Sequence, residues 1–339
     1  MDSWIIRACV GAGLLAVLSF AGVTAAGDEP VSAARADLPR RGTTPIRVVV
    51  LDETRTRFCG VAWDTNFLTG NVFSGMRNAV LNPAFFGIGG VVDRPIELTA
   101  VSDLTDPVLE SADAVFLSSM NPDEILEACE LERVQAFVDQ GGGLFVFENR
   151  AADRYAELFG GTGGASSTGP DVIFQTDIIT QGPFGNVAGL SMPLGFHLTF
   201  LDLGPNGRSF ATDSPSGTVG AVFDYGLGRA VMFNDEEWLA SYNSPSGCGN
   251  NSQNGALGQT VFLNSVAYIV PDAGFAYQGI GNTCCAADFN GDGLLNFFDI
   301  SRFIDAFTNM EPAADFDANG LWNFFDVSAY IAAFNAGCP

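Results

Sequence analysis

The chain has 339 residues, a formal net charge of −24 and a sequence pI near 4.1. A potential this negative repels phosphate backbones and attracts cations, so nucleic acid is not an expected partner. All fifteen basic residues are arginines, and the single histidine is His197. This composition excludes mechanisms that need lysine and sites that need two histidine ligands.

The first residues have the pattern of a secretory signal. Arg7 supplies a positive start, residues 10–23 form an apolar run, and Thr24-Ala25-Ala26 offers small residues for cleavage. We therefore expect a signal peptide over 1–26 and no transmembrane segment after its cleavage. The mature protein is expected to be secreted, in an extracellular, periplasmic or cell-surface location. Residues 27–43 are rich in Ala, Pro, Arg and Gly and are expected to be a disordered lead-in.

Strands and helices alternate between residues 44 and 271. Ile46–Leu51 is a run of β-branched and other apolar residues interrupted only by Arg47, which is typical of a parallel strand buried on both faces. The alternation predicts an α/β domain with a doubly wound, mostly parallel sheet. The predicted strands are Ile46–Leu51, Ile96–Val101, Ala114–Ser118, Leu144–Phe147, Gly220–Tyr225 and Ala230–Asn234, and the predicted helices are Phe73–Leu81, Leu131–Asp139 and Leu257–Val270.

Three segments of this domain carry a family resemblance. They are Gly-Gly-Gly-Leu-Phe-Val-Phe at 141–147, Ile-Thr-Gln-Gly-Pro-Phe-Gly at 179–185 and Gly-Arg-Ala-Val-Met-Phe at 228–233. With the order of elements, they resemble class I glutamine amidotransferase-like domains, the flavodoxin-like fold that also includes ThuA-like proteins. Enzymes of that family place a nucleophilic cysteine directly after the glycine-rich strand. This chain has Glu148-Asn149-Arg150 there, so the resemblance implies a catalytically degenerate domain.

Polar residues follow several of the predicted strands. Ligands of open α/β sheets bind beyond the carboxyl ends of the strands, so these residues are candidates for an acidic cleft that would hold a cation, a metal or a polyhydroxylated ligand. The alternative is that they cap the helices that follow. The candidate cleft residues are Asp52, Glu53, Glu148, Asn149, Arg150, Asp235, Glu236 and Glu237.

The C-terminal part of the chain contains a repeat. Residues 272–283 have the glycine-rich composition of a flexible linker, and beyond them two segments begin with Asp288 and Asp315, 27 residues apart. Calcium loops of ~12 residues supply oxygens from positions 1, 3, 5, 7, 9 and 12, with glycine at position 6. Both segments match this pattern, which predicts two calcium ions. The predicted ligands are Asp288, Asn290, Asp292, the Leu294 carbonyl, Asn296 and Asp299 in the first loop, and Asp315, Asp317, Asn319, the Leu321 carbonyl, Asn323 and Asp326 in the second.

Both loops end in aspartate, and one helix with an apolar face is expected after each. These features, Asn-Phe-Phe-Asp in each loop and the final Ala-Phe-Asn-Ala-Gly-Cys-Pro make residues 284–339 resemble GC-type dockerin modules of planctomycete-like bacteria. The resemblance implies docking to a cohesin-like or other envelope or extracellular protein. We expect at least one phenylalanine of each Phe-Phe pair to pack the helices together, because so small a module has few other apolar residues. The candidate docking residues are Phe298, Ser301, Arg302 and Phe325.

The cysteines favour disulfides. Seven cysteines become six once Cys9 leaves with the signal, and an even number in an exported chain favours pairing. Cys285 and Cys338 bracket the repeat, and pairing of the two loop-helix units should bring the ends together, so we expect a disulfide between them. Cys284 is then left for Cys248 or another partner in the first domain.

These patterns predict a secreted protein that binds two calcium ions and docks through its C-terminal module. The α/β domain would then be a ligand-binding or scaffold unit rather than an enzyme. Two alternatives stay open. One is a carbohydrate-active hydrolase delivered by the module, which would need two carboxylates as acid and as nucleophile or base. The other is a purely structural protein of a surface assembly.

Overall fold

The computed structural model describes residues 44–56, 64–118, 126–147, 152–163, 166–168, 171–193, 196–213, 217–234, 239, 255–271, 274–280, 285–290, 294–316 and 319–337. The signal peptide and the lead-in predicted from the sequence lie outside these residues. None of the helices within the described ranges is both long enough and apolar enough to cross a membrane.

The elements follow the predicted alternation. The strands are β1 (Ile46–Leu51), β2 (Ile96–Val101), β3 (Ala114–Ser118), β4 (Gly143–Phe147), β5 (Ser166–Thr168), β6 (Asp171–Phe174), β7 (Ser191–Pro193), β8 (Phe196–Leu198), β9 (Gly207–Asp213), β10 (Thr218–Tyr225) and β11 (Gly228–Phe233). The helices are α1 (Ser74–Val80), α2 (Asp106–Glu110), α3 (Ala128–Asp139), α4 (Ala152–Glu157), α5 (Gly255–Ile269), α6 (Phe297–Thr308) and α7 (Phe324–Ala336), with a 3₁₀ turn at Pro312–Ala314.

Nine strands form one mixed sheet in the order β2-β1-β3-β4-β11-β10-β9-β6-β7. The first five pair in parallel, and their order is that of flavodoxin-like sheets, with a switch point between β1 and β3. The other four strands pair antiparallel. The α/β class is therefore confirmed, but the sheet has a larger antiparallel part than the sequence predicts. Strand β6 alternates between exposed and buried residues, so it lacks the continuous apolar run that marks the parallel strands.

Helices cover both faces of the sheet. Side chains of β1 alternate between the two sides, with Val48 and Val50 in one apolar cluster and Val49 and Leu51 in the other. Helices α1 and α5 pack on the first cluster, whereas α2, α3 and α4 pack on the second. This is the doubly wound arrangement that the sequence predicts.

Residues 275–280 pack against the α/β core, although their composition predicts a flexible linker. Tyr277 is 2% exposed, and its hydroxyl donates to the Asp106 carboxylate at 2.9 Å. The side chain of Gln140 pairs with the backbone of Gln278, accepting from its N–H at 2.8 Å and donating to its carbonyl at 2.9 Å. Burial of the Tyr277 side chain stabilises this segment in a packed position, although its other residues favour flexibility.

Arg94 joins the two ends of the α/β part. It is 4% exposed, and its guanidinium donates to the carbonyls of Thr44 at 3.1 Å, Pro45 at 3.3 Å and Pro271 at 3.2 Å. It also lies 3.8 Å from the carboxylate of Asp113. A single side chain therefore satisfies three backbone carbonyls from the two ends of this part of the chain.

We expect Arg94→Met to lower the free energy of unfolding by about 3 kcal/mol, because it removes a buried donor from three backbone carbonyls, of which that of Pro271 is buried. Arg47→Met is the matched control. Its guanidinium also bonds Asp113, at 3.0 Å, but is 40% exposed, so we expect a loss of about 1 kcal/mol. Urea denaturation followed by circular dichroism measures both, and equal losses would contradict the role assigned to Arg94.

Candidate functional site

The predicted cleft lies at the carboxyl edge of the parallel strands. Strands β1, β3, β4 and β11 are parallel neighbours, so their carboxyl ends share one edge of the sheet. With about 4.8 Å between strands, the ends of β1 and β11 are about 14 Å apart. Asp52 and Glu53 directly follow β1 at this edge. The other six candidates, Glu148, Asn149, Arg150, Asp235, Glu236 and Glu237, lie outside the described residues.

Asp52 closes a turn after β1. Its carboxylate accepts from the backbone N–H of Thr54 at 2.9 Å and from the Thr54 hydroxyl at 2.6 Å. Glu53 is exposed. Asp52 therefore shapes the turn after the strand and does not cap a helix.

A buried ion pair lies at the same edge, where the sequence patterns do not predict one. Glu130, 4% exposed in the first turn of α3, accepts from both terminal nitrogens of Arg55, at 3.1 and 2.8 Å, and from the backbone N–H groups of Leu104 and Glu127, both at 3.0 Å. Arg55 also donates to the carbonyl of Ser102 at 2.8 Å. Hydrogen bonding to Glu130 raises the pKa of the Arg55 guanidinium. This pair connects the ends of β1 and β2 to the start of α3. Its two residues are far apart in sequence, so no local sequence motif predicts it.

Asn234 directly follows β11 and is fully buried, yet neither atom of its carboxamide has a hydrogen-bond partner among the residues that the structure describes. Asn264 on α5 is buried to nearly the same degree. Its oxygen accepts from the N–H of Phe184 at 2.9 Å, and its amide donates to the carbonyls of Ile179 and Gly185 at 2.9 and 3.0 Å. A buried amide without partners costs ~1–3 kcal/mol of stability.

We expect Asn234→Leu to raise the free energy of unfolding by about 1 kcal/mol, because it replaces an unsatisfied amide with an apolar group of similar size. Asn264→Leu should lower it by about 2–3 kcal/mol, because it leaves three backbone groups unpaired. Urea denaturation of the two variants tests whether the two changes in the free energy of unfolding have opposite signs. A loss for Asn234→Leu as large as that for Asn264→Leu would contradict it.

In the C-terminal part, the last four residues of each predicted calcium loop form the capping box at the start of a helix. The side-chain oxygen of Asn296 accepts from the N–H of Phe298 at 2.8 Å, and the Asp299 carboxylate accepts from the N–H of Asn296 at 2.8 Å. Asn323 and Asp326 repeat this capping box at the start of α7. The two repeats therefore fold alike where their sequences are alike.

Asp299 and Asp326 are both fully buried. The second oxygen of Asp299 accepts from the N–H of Asn290 at 3.2 Å, and that of Asp326 accepts from the N–H of Phe316 at 2.8 Å. Each of these aspartates thus reaches back to the start of its own loop. A carboxylate has about four acceptor positions, so Asp299 retains capacity for a cation. Burying an ionised carboxylate costs several kcal/mol unless a positive charge compensates it.

The C-terminal segment contains little positive charge of its own. Arg302 is the only basic residue between 285 and 339. Its guanidinium pairs with Glu311 at 2.8 Å and with Asp305 at 3.4 Å. The countercharge for Asp299 and Asp326 therefore does not come from a side chain of this segment.

The neutral ligands predicted for the loops bond within each loop. The carbonyl of Leu294 accepts from the side-chain amide of Asn296 at 3.0 Å, and that of Leu321 accepts from the amide of Asn323 at 3.1 Å. The side-chain oxygen of Asn319 accepts from the N–H of Leu321 at 2.8 Å. These hydrogen bonds hold each loop in a turn. The ligand atoms predicted in the turn are all oxygens.

The structure describes two of the other four carboxylates that are predicted as calcium ligands. Asp288 is 4% exposed, and the Asp315 carboxylate accepts from two backbone N–H groups of its own loop, at 2.7 and 3.0 Å. Asp292 and Asp317 lie outside the described residues. Among the residues that are described, no three His, Cys, Asp or Glu side chains gather as a metal-binding group. The structure therefore locates two of the three carboxylates predicted for each loop. The predicted ligand groups that it describes all offer oxygen atoms, which calcium prefers.

Four rings form a shared core between the repeats, which we call the aromatic core: Phe289, Phe303, Phe316 and Tyr330. Phe303 and Tyr330, which are repeat equivalents, stack with centroids 3.9 Å apart and an angle of 3° between their planes. Phe289 packs edge-on against both, at 5.4 and 6.0 Å, and Phe316 does the same at 6.2 and 5.6 Å. The core thus has approximate two-fold symmetry.

The charge of the first loop reaches Tyr330 on α7. The Tyr330 hydroxyl donates to the carbonyl of Ala287 at 3.3 Å. Burial, followed by the charges of Asp299 and Asp288, raises the pKa of Tyr330 to about 12, because both oppose a phenolate. The helix of one repeat therefore lies in the electrostatic field of the other repeat's loop.

Repeat equivalents also line one cleft, of about 450 Å³. Cys285, at its rim, is buried and disulfide-bonded. Its partner lies outside the described residues, because Cys129, the other described cysteine, is not in a disulfide. The pairing with Cys338 stays a prediction. The residues lining the cleft are Cys285, Ala286, Asp288 and Phe289, with Pro312, Ala313, Asp315 and Phe316, each 27 residues later.

The prediction that one phenylalanine of each Phe-Phe pair packs the helices is wrong. Phe297 and Phe298 are 72% and 68% exposed, and Phe324 and Phe325 are 74% and 68% exposed. The aromatic core already fills the space between α6 and α7. Of the other predicted docking residues, Ser301 is exposed and Arg302 is half-buried.

No protein-family model and no curated protein matches this chain. Among the solved structures that resemble it is a protein described as ThuA-like from Bacteroides uniformis, with 11% identity, a TM-score of 0.43, and coverage of 69% of this chain and 92% of that one. A second ThuA-like protein, from Parabacteroides merdae, has 11% identity, a TM-score of 0.39, and coverage of 70% and 94%. A beta-galactosidase from Bacillus circulans has 13% identity, a TM-score of 0.38, and coverage of 67% of this chain and 30% of that one. Likeness at this level does not establish a function.

Proposed function

We propose that the C-terminal segment, residues 284–339, binds two calcium ions and that its calcium-loaded fold docks the chain onto a partner protein outside the cytoplasm. The observation that carries this proposal is the burial of Asp299 and Asp326 in a segment whose single arginine pairs elsewhere. Two buried carboxylates need a countercharge, and a cation bound in each loop supplies it.

The chemistry of the donors favours calcium. The loops offer carboxylate, amide and carbonyl oxygens, which hard divalent cations prefer, and the six positions predicted in each loop agree with the six to eight oxygen ligands of calcium. The segment from Cys284 to Pro339 holds eight acidic residues and one basic residue, a net charge of −7. Two divalent ions would reduce it to −3, so binding also relieves the repulsion that opposes folding of this segment.

Exposed aromatic residues support the docking part of the proposal. Phe298 and Phe325 each hold a large apolar ring in solvent at the start of a helix, which is costly unless another surface covers it. With Ser301 and Arg302 beside the first ring, they form the surface that a dockerin-like module would present to a cohesin-like or other envelope protein. The α/β domain, ThuA-like and amidotransferase-like, would be the ligand-binding or scaffold unit that this module delivers.

We expect the full chain to bind two calcium ions and the variant Asp299→Asn/Asp326→Asn to bind none with comparable affinity, because each loop loses its buried carboxylate. Asp305→Asn is the matched control, since Asp305 is exposed on α6 outside both loops. Isothermal titration after removal of metal by a chelator measures stoichiometry and affinity. Equal calcium uptake by the double variant and the control would refute the proposed sites.

We expect Phe298→Ser/Phe325→Ser to abolish calcium-dependent capture of an envelope partner without changing calcium affinity, because these rings are exposed rather than part of the aromatic core. Leu201→Ser is the control, since Leu201 is a 73% exposed apolar residue of the α/β part. Pull-down from an envelope extract, with and without chelator, compares the three proteins. Capture that survives either the chelator or the phenylalanine substitutions would contradict docking through this surface.

A further inference from the structure

The two edge strands of the large sheet differ in how well they are protected against pairing with another chain. Strand β2 stands at one end of the strand order and β7 at the other. Strand β2 has six residues, all paired with β1 in one unbroken register, and it contains neither proline nor a basic residue. Strand β7 has three residues and ends in Pro193, which has no N–H to donate. Short strands, prolines and basic side chains protect sheet edges, so β7 is protected and β2 is not.

The backbone groups at the outer edge of β2 follow from its hydrogen bonds to β1. The N–H of Ile46 donates to the carbonyl of Pro95 at 2.7 Å, directly before β2, and the same pattern recurs at the far end of the two strands. The odd-numbered residues of β2 therefore face β1. Because backbone groups alternate in direction along a strand, the N–H and carbonyl groups of Ile96, Leu98 and Ala100 point to the outer edge.

The helices that cover the sheet leave this edge exposed. Glu97 and Thr99 are exposed on one face of β2, and Ala100 is exposed on the other. Leu98 is half-buried at the border of the apolar cluster that contains Ile96. The edge is therefore open to a further strand, whose side chains would cover the apolar residues that β2 leaves in contact with water.

We propose that β2 pairs with β2 of a second copy of this chain, antiparallel and around a two-fold axis at Leu98. In this register Leu98 lies opposite Leu98 of the second copy, and Ile96 lies opposite Ala100 of the second copy. The outward-facing residues then form three hydrogen-bonded pairs with about six hydrogen bonds, and one continuous sheet runs through both copies. The surface belongs to the α/β part, so this inference goes beyond the proposed calcium function.

The side chains of β2 favour this register and a copy of the same strand as the partner. Glu97 is the only charged residue of β2, and in this register it lies opposite Thr99 of the second copy, whose hydroxyl can donate to the carboxylate. A two-fold axis at Glu97 would instead place two carboxylates side by side, which is destabilising. An axis at Thr99 would form one hydrogen-bonded pair fewer within the strand. The strand is thus complementary to itself at one position of the axis.

Two effects set the strength of this dimer. Pairing through one strand buries a small area, so the association is expected to be weak and reversible. Each copy carries a net charge of −24, and the resulting repulsion opposes association until salt screens it. The dimer should therefore become tighter as ionic strength rises.

Sedimentation velocity of the full chain, at several concentrations and at high ionic strength, measures the dissociation constant of the dimer. Ala100→Pro should raise that constant at least about tenfold, because it removes two outward N–H donors from the interface, one in each copy, and leaves the hydrogen bonds to β1 intact. Ser191→Pro is the matched control, since Ser191 is exposed on β7 at the opposite edge of the sheet. It should leave the dissociation constant unchanged.

Charge substitutions at Thr99 test the register. Thr99→Arg should lower the dissociation constant about tenfold, because each new guanidinium lies opposite Glu97 of the other copy. Thr99→Glu should raise it by a similar factor, because carboxylates then face each other. Adding Glu97→Arg to Thr99→Glu should restore the dimer. A gain in affinity cannot result from misfolding, so these variants decide even if Ala100→Pro unfolds the edge.

A chain that stays monomeric at every concentration would overturn this inference. A dimer that Ala100→Pro leaves unchanged, or that Ser191→Pro weakens as much, would place the interface elsewhere and overturn it too. Equal effects of Thr99→Arg and Thr99→Glu would contradict the pairing of Glu97 with Thr99 that defines the register. None of these outcomes bears on calcium binding, which the titration of the calcium-loop variants tests separately.

Discussion

The C-terminal part of this protein is governed by two buried carboxylates, Asp299 and Asp326, in a segment whose single arginine, Arg302, pairs with Glu311 and Asp305. Asp299 and Asp326 each accept backbone N–H groups from both ends of their own loop, which makes them the closing points of the two turns. The same two carboxylates complete the capping boxes of α6 and α7, the helices that carry the stacked rings of Phe303 and Tyr330. Any ion that stabilises the two carboxylates therefore stabilises the entire arrangement.

The α/β part meets the same electrostatic problem with arginine. Glu130 is buried against Arg55, and Asp113 lies between Arg47 and Arg94. Fourteen of the fifteen arginines precede residue 285, and one follows it. Arginine suits buried pairs because its planar guanidinium donates to several acceptors at once and stays charged. Arginine side chains thus balance the buried carboxylates of the α/β part. In the C-terminal part, the proposed calcium ions would supply that positive charge.

The sequence predicted the parallel half of the fold well and the antiparallel half poorly. Strands β1, β2 and β3 begin and end at the predicted residues, because all three are rich in β-branched and apolar residues and lie between polar turns. Strands β6 and β9 are not predicted, because β6 has only four residues and β9 is interrupted by polar and small residues. At least one phenylalanine of each Phe-Phe pair is expected to pack, for want of other apolar residues, whereas the structure fills that space with rings from the loop starts and from later positions in the helices. Such contacts join residues far apart in sequence, and so does the Arg55–Glu130 pair, so neither appears in a local pattern.

The packed segment after the α/β core limits how the two parts of the chain can act. Residues 275–280 are held by Tyr277 in the core and by the Gln140–Gln278 pairing, so this half of the linker expected from composition is packed rather than flexible. Five residue steps separate Ile280 from Cys285, which the C-terminal cluster buries. At about 3.5 Å per residue, those steps span at most about 18 Å. A partner docked on α6 and α7 would therefore hold the α/β part close by, because the chain between Ile280 and Cys285 is too short for a long tether.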